Sequence, residues 1–126
     1  MKRRDQRIKV MTCVYQYLLT NRSIDDIFDE NIDIDDKESI SFIVENTIET
    51  INHLDELTSL IKEKLVKTWD FERLGYLEQA LLLMSAYEIK YTNIDKPIII
   101  NEALEIAKQY CDNEAPKLIN GVLDRL

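Results

Sequence analysis

Phe71-Glu-Arg-Leu-Gly-Tyr-Leu-Glu-Gln-Ala-Leu-Leu-Leu-Met-Ser-Ala-Tyr-Glu-Ile-Lys-Tyr91 is the most apolar helical segment of the chain. Leu74, Leu77, Leu81, Met84 and Tyr87 recur at three- and four-residue intervals, the period of an α-helix. Leu82, Leu83 and Ile89 fall on its flanks, so the apolar surface covers much of the circumference. A helix of this kind lies in the middle of a bundle, with other helices around it. Asp70 is the expected N-cap, with the helix running over about 71–91.

The neighbouring segments supply those helices. Residues 4–20 carry Ile8, Met11, Tyr15, Leu18 and Leu19 at helical spacing, widened by Val10, Val14 and Tyr17. Ser23 followed by Ile-Asp-Asp reads as a cap opening a short helix near 24–30. Asp35 or Asp36 can cap the next helix, whose core face is Ile40, Ile43, Val44, Thr47, Ile48 and Ile51. Asn52 and Asp55 begin another, with Leu54, Leu57, Leu60, Ile61 and Leu65 inside. Pro97 and Pro116 suit the first turns of two final helices. Ile100, Ala103, Ile106, Ala107 and Tyr110 continue the first, and Leu118, Ile119, Val122, Leu123 and Leu126 line the second. The expectation is an all-α, single compact domain of about seven helices over residues 1–126.

Composition agrees. The chain has 126 residues, 45% of them hydrophobic, enough for one core and too many for disorder. It contains 2 Gly and 2 Pro, too few for the many turns of a sandwich or barrel. Two cysteines, Cys13 and Cys111, make no disulfide framework; both fall in apolar helical patterns and read as small buried hydrophobes. No apolar run approaches a membrane span, and no signal-peptide core follows the opening MKRRDQR. A cytoplasmic location is expected.

The charge is segregated. The net charge is −8, yet residues 1–9 hold Lys2, Arg3, Arg4, Arg7 and Lys9 against Asp5, a net +4 that leaves −12 on the other 117 residues. Cations in the first turns of a helix oppose its dipole, so something other than helix stability keeps them there. Arg4 and Arg7, three apart, share a helix face, and arginine forks suit phosphate. A small basic patch on an acidic body directs a polyanion to one place.

Chemistry for catalysis is missing from the pattern. His53 has no ligand-type neighbour at metal spacing and reads as a surface or cap histidine. There is no phosphate-binding glycine loop, C-x-x-C or nucleophile elbow. Acidic pairs such as Glu102 and Glu105 read as solvated faces. No enzyme activity, cofactor or metal is expected.

Two carboxy-terminal motifs sharpen the functional reading. Asn101-Glu-Ala-Leu-Glu-Ile-Ala-Lys108 and Lys117-Leu-Ile-Asn-Gly-Val-Leu-Asp124 resemble the closing pattern of the NusB family of transcription antitermination proteins. The resemblance extends back through Glu78-Gln-Ala-Leu-Leu to Tyr87-Glu-Ile, through Trp69 and Arg73-Leu, and to Arg3-Arg4-x-x-Arg7 with Val14-Tyr15-Gln16. Gln6, Ile8, Gln79 and Leu83 depart from the family pattern at positions that affect its charge.

The resemblance implies two small helical subdomains and a protein that binds boxA-type RNA of ribosomal RNA leaders. It implies NusE, the small-subunit ribosomal protein ten, as partner, and the RNA polymerase antitermination complex as destination. Carried over by motif, Lys2, Arg3, Arg4 and Arg7 would contact RNA, and Lys117 would extend that surface. Tyr15, Glu78 and Glu114 would lie at the partner face, although Tyr15 equally fits the core stripe of its helix. Asn101 and Asn120 read as satisfying buried backbone groups, Gly121 as allowing close helix approach, and Trp69 as an inter-helix plug. Two other readings stand beside this one: a protein-only module that self-associates as a homodimer and hides the RNA surface, and the RNA-binding domain of a ribosomal RNA methyltransferase, detached from its enzyme.

Overall fold

A computed structural model describes all of residues 1–126. Its helices are α1 (Arg3–Leu19), α2 (Ile24–Asn31), α3 (Lys37–Asn52), α4 (Leu54–Lys64), α5 (Tyr76–Tyr91), α6 (Lys96–Tyr110) and α7 (Ala115–Asp124), with a 3-10 turn at Phe71–Arg73 and no strand. The all-α expectation of about seven helices holds. No helix is long and apolar enough to cross a membrane.

Sequence chemistry explains most boundaries. Ser23 accepts from the Asp26 amide and opens α2. Asp36, not Asp35, caps α3, accepting from the Glu38 and Ser39 amides. Asp36 also accepts from the Ser39 hydroxyl and the amino-terminal ammonium, and these contacts hold its carboxyl down at about 2. His53 closes α3 and opens α4, with its ring Nδ1 2.8 Å from the Glu49 carbonyl oxygen, which fits the cap reading. Pro97 and Pro116 sit in the first turns of α6 and α7.

The start of α5 differs from the expectation. Asp70 stands before Phe71–Arg73, which forms its own 3-10 turn, and makes no side-chain cap hydrogen bond; Leu74 is extended, and Gly75 is the N-cap of α5. Phe71 and Leu74, at either end of this detour, are both buried. Gln79 fastens the detour, its side-chain amide donating to the carbonyls of Phe71 and Leu74.

α5 is the axis of the molecule. Every residue from Gln79 to Glu88 is buried. α1, α3, α4, α6 and α7 all pack against it. α1–α3 form an amino-terminal half and α4–α7 a carboxy-terminal half, joined along the α1–α5 seam by one continuous hydrophobic cluster drawn from both. α3 meets that cluster with a mixed face of Ser39, Ile43, Thr47 and Thr50, all fully buried. The Thr47 and Thr50 hydroxyls have no hydrogen-bond partner. In α6 the buried face is Ile99, Ala103, Ile106 and Ala107, which leaves Ile100 half-buried and Tyr110 exposed.

Cys13 is buried in α1, whereas Cys111 ends α6 and is half-exposed. Burial pushes both thiols up to about 11, helped at Cys111 by Glu78 and Asp112. Both are protonated and sluggish at neutral pH. Labelling with a thiol reagent at pH 7.5 should modify Cys111 slowly and Cys13 only after unfolding, as read by intact mass. Leu82 is fully buried on the axis. Leu82→Ala should cost about 2–5 kcal/mol, a large share of a small domain's stability, as read by urea denaturation.

Candidate functional site at the basic amino-terminal face

Lys2, Arg3 and Arg4 are exposed at the start of α1. The Arg3 guanidinium lies 4.1 Å from the centre of the Phe42 ring and donates to the Gln6 side chain at 2.8 Å. Gln6 in turn donates to Ser39 and to the Met1 carbonyl. A chain of contacts therefore ties the basic segment to α3 instead of leaving it frayed. Arg4 turns the other way and donates through Nε and Nη2 to Glu102 of α6.

Arg7 does not join this surface. Its side chain is 6% exposed and forms a two-pronged ion pair with Glu88 of α5, Nε to Oε1 and Nη2 to Oε2, each at 2.9 Å. Its guanidinium is also 5.7 Å from the Phe42 ring centre. The shared face expected of Arg4 and Arg7 fails because α1 is enclosed by α3 and α5 on the side where Arg7 points. A signal was present. Arg7, Val10, Met11 and Val14 follow helical spacing, so Arg7 continues the buried stripe of α1. Glu88 likewise extends the stripe of Leu77, Leu81 and Met84 on α5. Glu88, Phe42 and Glu102 are the residues that sequence reasoning missed.

Lys117 is exposed on α7, on a groove of about 760 Å³ that it shares with Val66, Trp69, Asn113, Asn120 and Arg125. Trp69 is 42% exposed here, so it is a groove wall and not an inter-helix plug. Asn101 and Asn120 are exposed and satisfy no buried backbone. They face each other across a second groove between α6 and α7. Gly121 is not a close-approach site either, since an added Cβ would meet nothing nearer than the Arg125 guanidinium at 4.0 Å.

Glu78 sits in the first turn of α5, where its charge complements the helix dipole. A Cβ at Gly75 would stand 2.5 Å from a Glu78 carboxylate oxygen, so glycine lets that side chain curl over the helix start. Glu78 and Glu114 line one small cleft with Trp69, Arg73 and Asp112. Tyr15 is half-buried and packs on the core while keeping part of its side chain at the surface.

The fold and its face define a class: a small helical domain with a basic helix start and an acidic body. The chain belongs to the NusB family, which it matches over residues 4–126. It is 34% identical over 127 residues to the transcription antitermination protein NusB of Exiguobacterium sp., covering 100% of this chain and 97% of that one. It is 47% identical over 77 residues to the protein of the same name in Nitratiruptor sp., covering 61% of this chain and 55% of that relative's length. Among solved structures, NusB of T. maritima superposes with a TM-score of 0.90 at 27% identity, covering 99% of this chain and 89% of that one. A chain from the crystal structure of antitermination factors NusB and NusE in complex with dsRNA shares the fold, with a TM-score of 0.87 at 24% identity and coverage of 98% and 93%.

The Arg7–Glu88 pair is sealed from solvent, so removing one partner strands the other charge. Arg7→Ala should destabilise the protein by about 3–5 kcal/mol, whereas Arg7→Met combined with Glu88→Leu should be neutral or stabilising, as read by urea denaturation.

Proposed function

We propose that the protein is a transcription antitermination factor that binds boxA-type RNA of ribosomal RNA leaders together with NusE, and that it joins the RNA polymerase antitermination complex in the cytoplasm. The observation that carries this reading is the exposed cluster Lys2, Arg3 and Arg4, held by α3 and α6 on an otherwise acidic NusB-family domain. Phosphate contacts from this cluster supply affinity, and unstacked bases supply specificity. Arg7 serves the face indirectly, by fixing α1 against α5. Lys117 extends the surface into the groove walled by Trp69, whose exposed indole suits stacking with a base.

Tyr15, Glu78 and Glu114 form the proposed contact with NusE. Three carboxylates, Glu78, Asp112 and Glu114, against one arginine, Arg73, in one cleft attract a basic partner. The crystal structure of antitermination factors NusB and NusE in complex with dsRNA, one chain of which shares this fold, supports a joint role for the two proteins and RNA. The mechanism is that of a scaffold: it holds RNA and partner together and forms no covalent bond.

Fluorescence anisotropy of a labelled boxA-type RNA, with a scrambled RNA as control, tests the reading. Selective binding that tightens on adding NusE is expected. Lys2→Ala with Arg3→Ala should weaken binding and flatten the log–log salt dependence by about 1.4, two single-strand phosphate contacts. Selectivity absent with and without NusE, together with a homodimer that persists on dilution, would overturn the reading in favour of a protein-only module.

A further inference from the structure

We propose that Glu102 stands in for an RNA phosphate at Arg4 in the free protein and gives way to the RNA backbone on binding. The inference deepens the RNA-binding reading above and rests on it.

The geometry is that of an occupied anion position. Arg4 Nε and Nη2 both donate to one oxygen of Glu102, Oε2, at 2.9 and 2.6 Å. The second oxygen, Oε1, and the Arg4 Nη1 make no hydrogen bond, so the two planar groups meet at one point instead of edge to edge. A phosphodiester with two free oxygens can engage the same fork through two parallel bonds. Arg4 presents an open side to such a ligand, with 45% of its side chain exposed, while Glu102 is held close to α6 at 20%.

Glu102 is not an incidental helical neighbour, since it lies 98 residues from Arg4 and reaches it from another helix. α1 and α6 touch only briefly elsewhere. Arg7 is neutralised inside the protein by Glu88, and Arg3 is engaged with Phe42 and Gln6. The Arg4–Glu102 pair therefore sets how much positive charge the face offers before RNA arrives. An exposed pair of this kind is weak enough to exchange. A polyanion that cannot align a phosphate with the fork meets the Glu102 carboxylate instead, which restrains indiscriminate binding.

Four full-length chains decide the matter: wild type, Glu102→Gln, Arg4→Ala and the double variant. Each is titrated with labelled boxA-type RNA in the presence of NusE at two salt concentrations. Glu102→Gln should tighten binding about two- to five-fold, the range set by an exposed ion pair. Its log–log salt slope should stay within about 0.7, one single-strand phosphate contact, of the wild type, because Arg4 meets a phosphate in both chains. With Arg4 replaced by alanine, the same Glu102 change should give less than half that gain on a logarithmic scale.

An equal gain in both backgrounds would reduce Glu102 to a general negative charge and overturn the proposal. So would unchanged or weaker binding by Glu102→Gln. Thermal melting of each chain separates that result from a fold loosened by losing the α1–α6 clip. In either case, wild-type binding that falls on Arg4→Ala would leave the RNA-binding reading intact. RNA binding absent from the wild type would overturn both.

Discussion

The buried pair of Arg7 and Glu88 is the constraint on which the arrangement depends. It is a charge contact in the middle of an apolar seam, between the helix that carries the basic face and the helix that carries the core. Apolar side chains along α1 and α5 tolerate small slides past one another, whereas a two-pronged guanidinium–carboxylate pair fixes register. Removing either charge from water is costly, and only good geometry offsets it. The pair therefore contributes little net stability and much definition. Once Arg7 meets Glu88, Arg4 faces α6 and Arg3 faces Phe42 of α3, so the orientation of the exposed bases follows from a bond they do not make.

The rest of the face is built by borrowing from neighbouring helices. Phe42 gives Arg3 an aromatic surface, Ser39 holds Gln6, and Asp36 holds both Ser39 and the amino-terminal ammonium. α3 thus does two jobs: it packs against α1, and it braces a segment whose like charges would otherwise repel and fray. Its interior face of Ser39, Ile43, Thr47 and Thr50 is small, which lets α1 approach closely enough for Gln6 to reach Ser39.

Helical periodicity carried the fold. The apolar runs marked every helix, and proline and serine marked several starts. Periodicity failed where burial depends on partners distant in the chain. Asp70 has the chemistry of a cap but opens only the 3-10 turn, and α5 begins after Gly75, where the Gln79 side chain ties the turn to the helix through the Phe71 and Leu74 carbonyls. Trp69 looked like core by composition and stands at a groove because the segment before the 3-10 turn runs along the surface. Asn101, Asn120 and Gly121 recur in family motifs, yet none is buried. Their places on two grooves, one between α6 and α7 and one between α7 and the Trp69 segment, shift their meaning from packing to surface chemistry.

The charged residues show the same limit more sharply. Arg3, Arg4 and Arg7 are one cluster in sequence and three environments in space: a π-face, a half-buried carboxylate and a fully buried one. Charge spacing along a single helix cannot distinguish them, because each environment is supplied by a different partner, α3, α6 or α5. Arg7 was legible in principle, since it and Glu88 each fall on an apolar stripe, and opposite charges at buried positions of two helices have to find one another. Arg4 was not, because Glu102 sits on an acidic helix face that solvation alone would explain. A basic motif thus specifies how much charge a surface can offer, and the acids of distant helices decide how much of it is free.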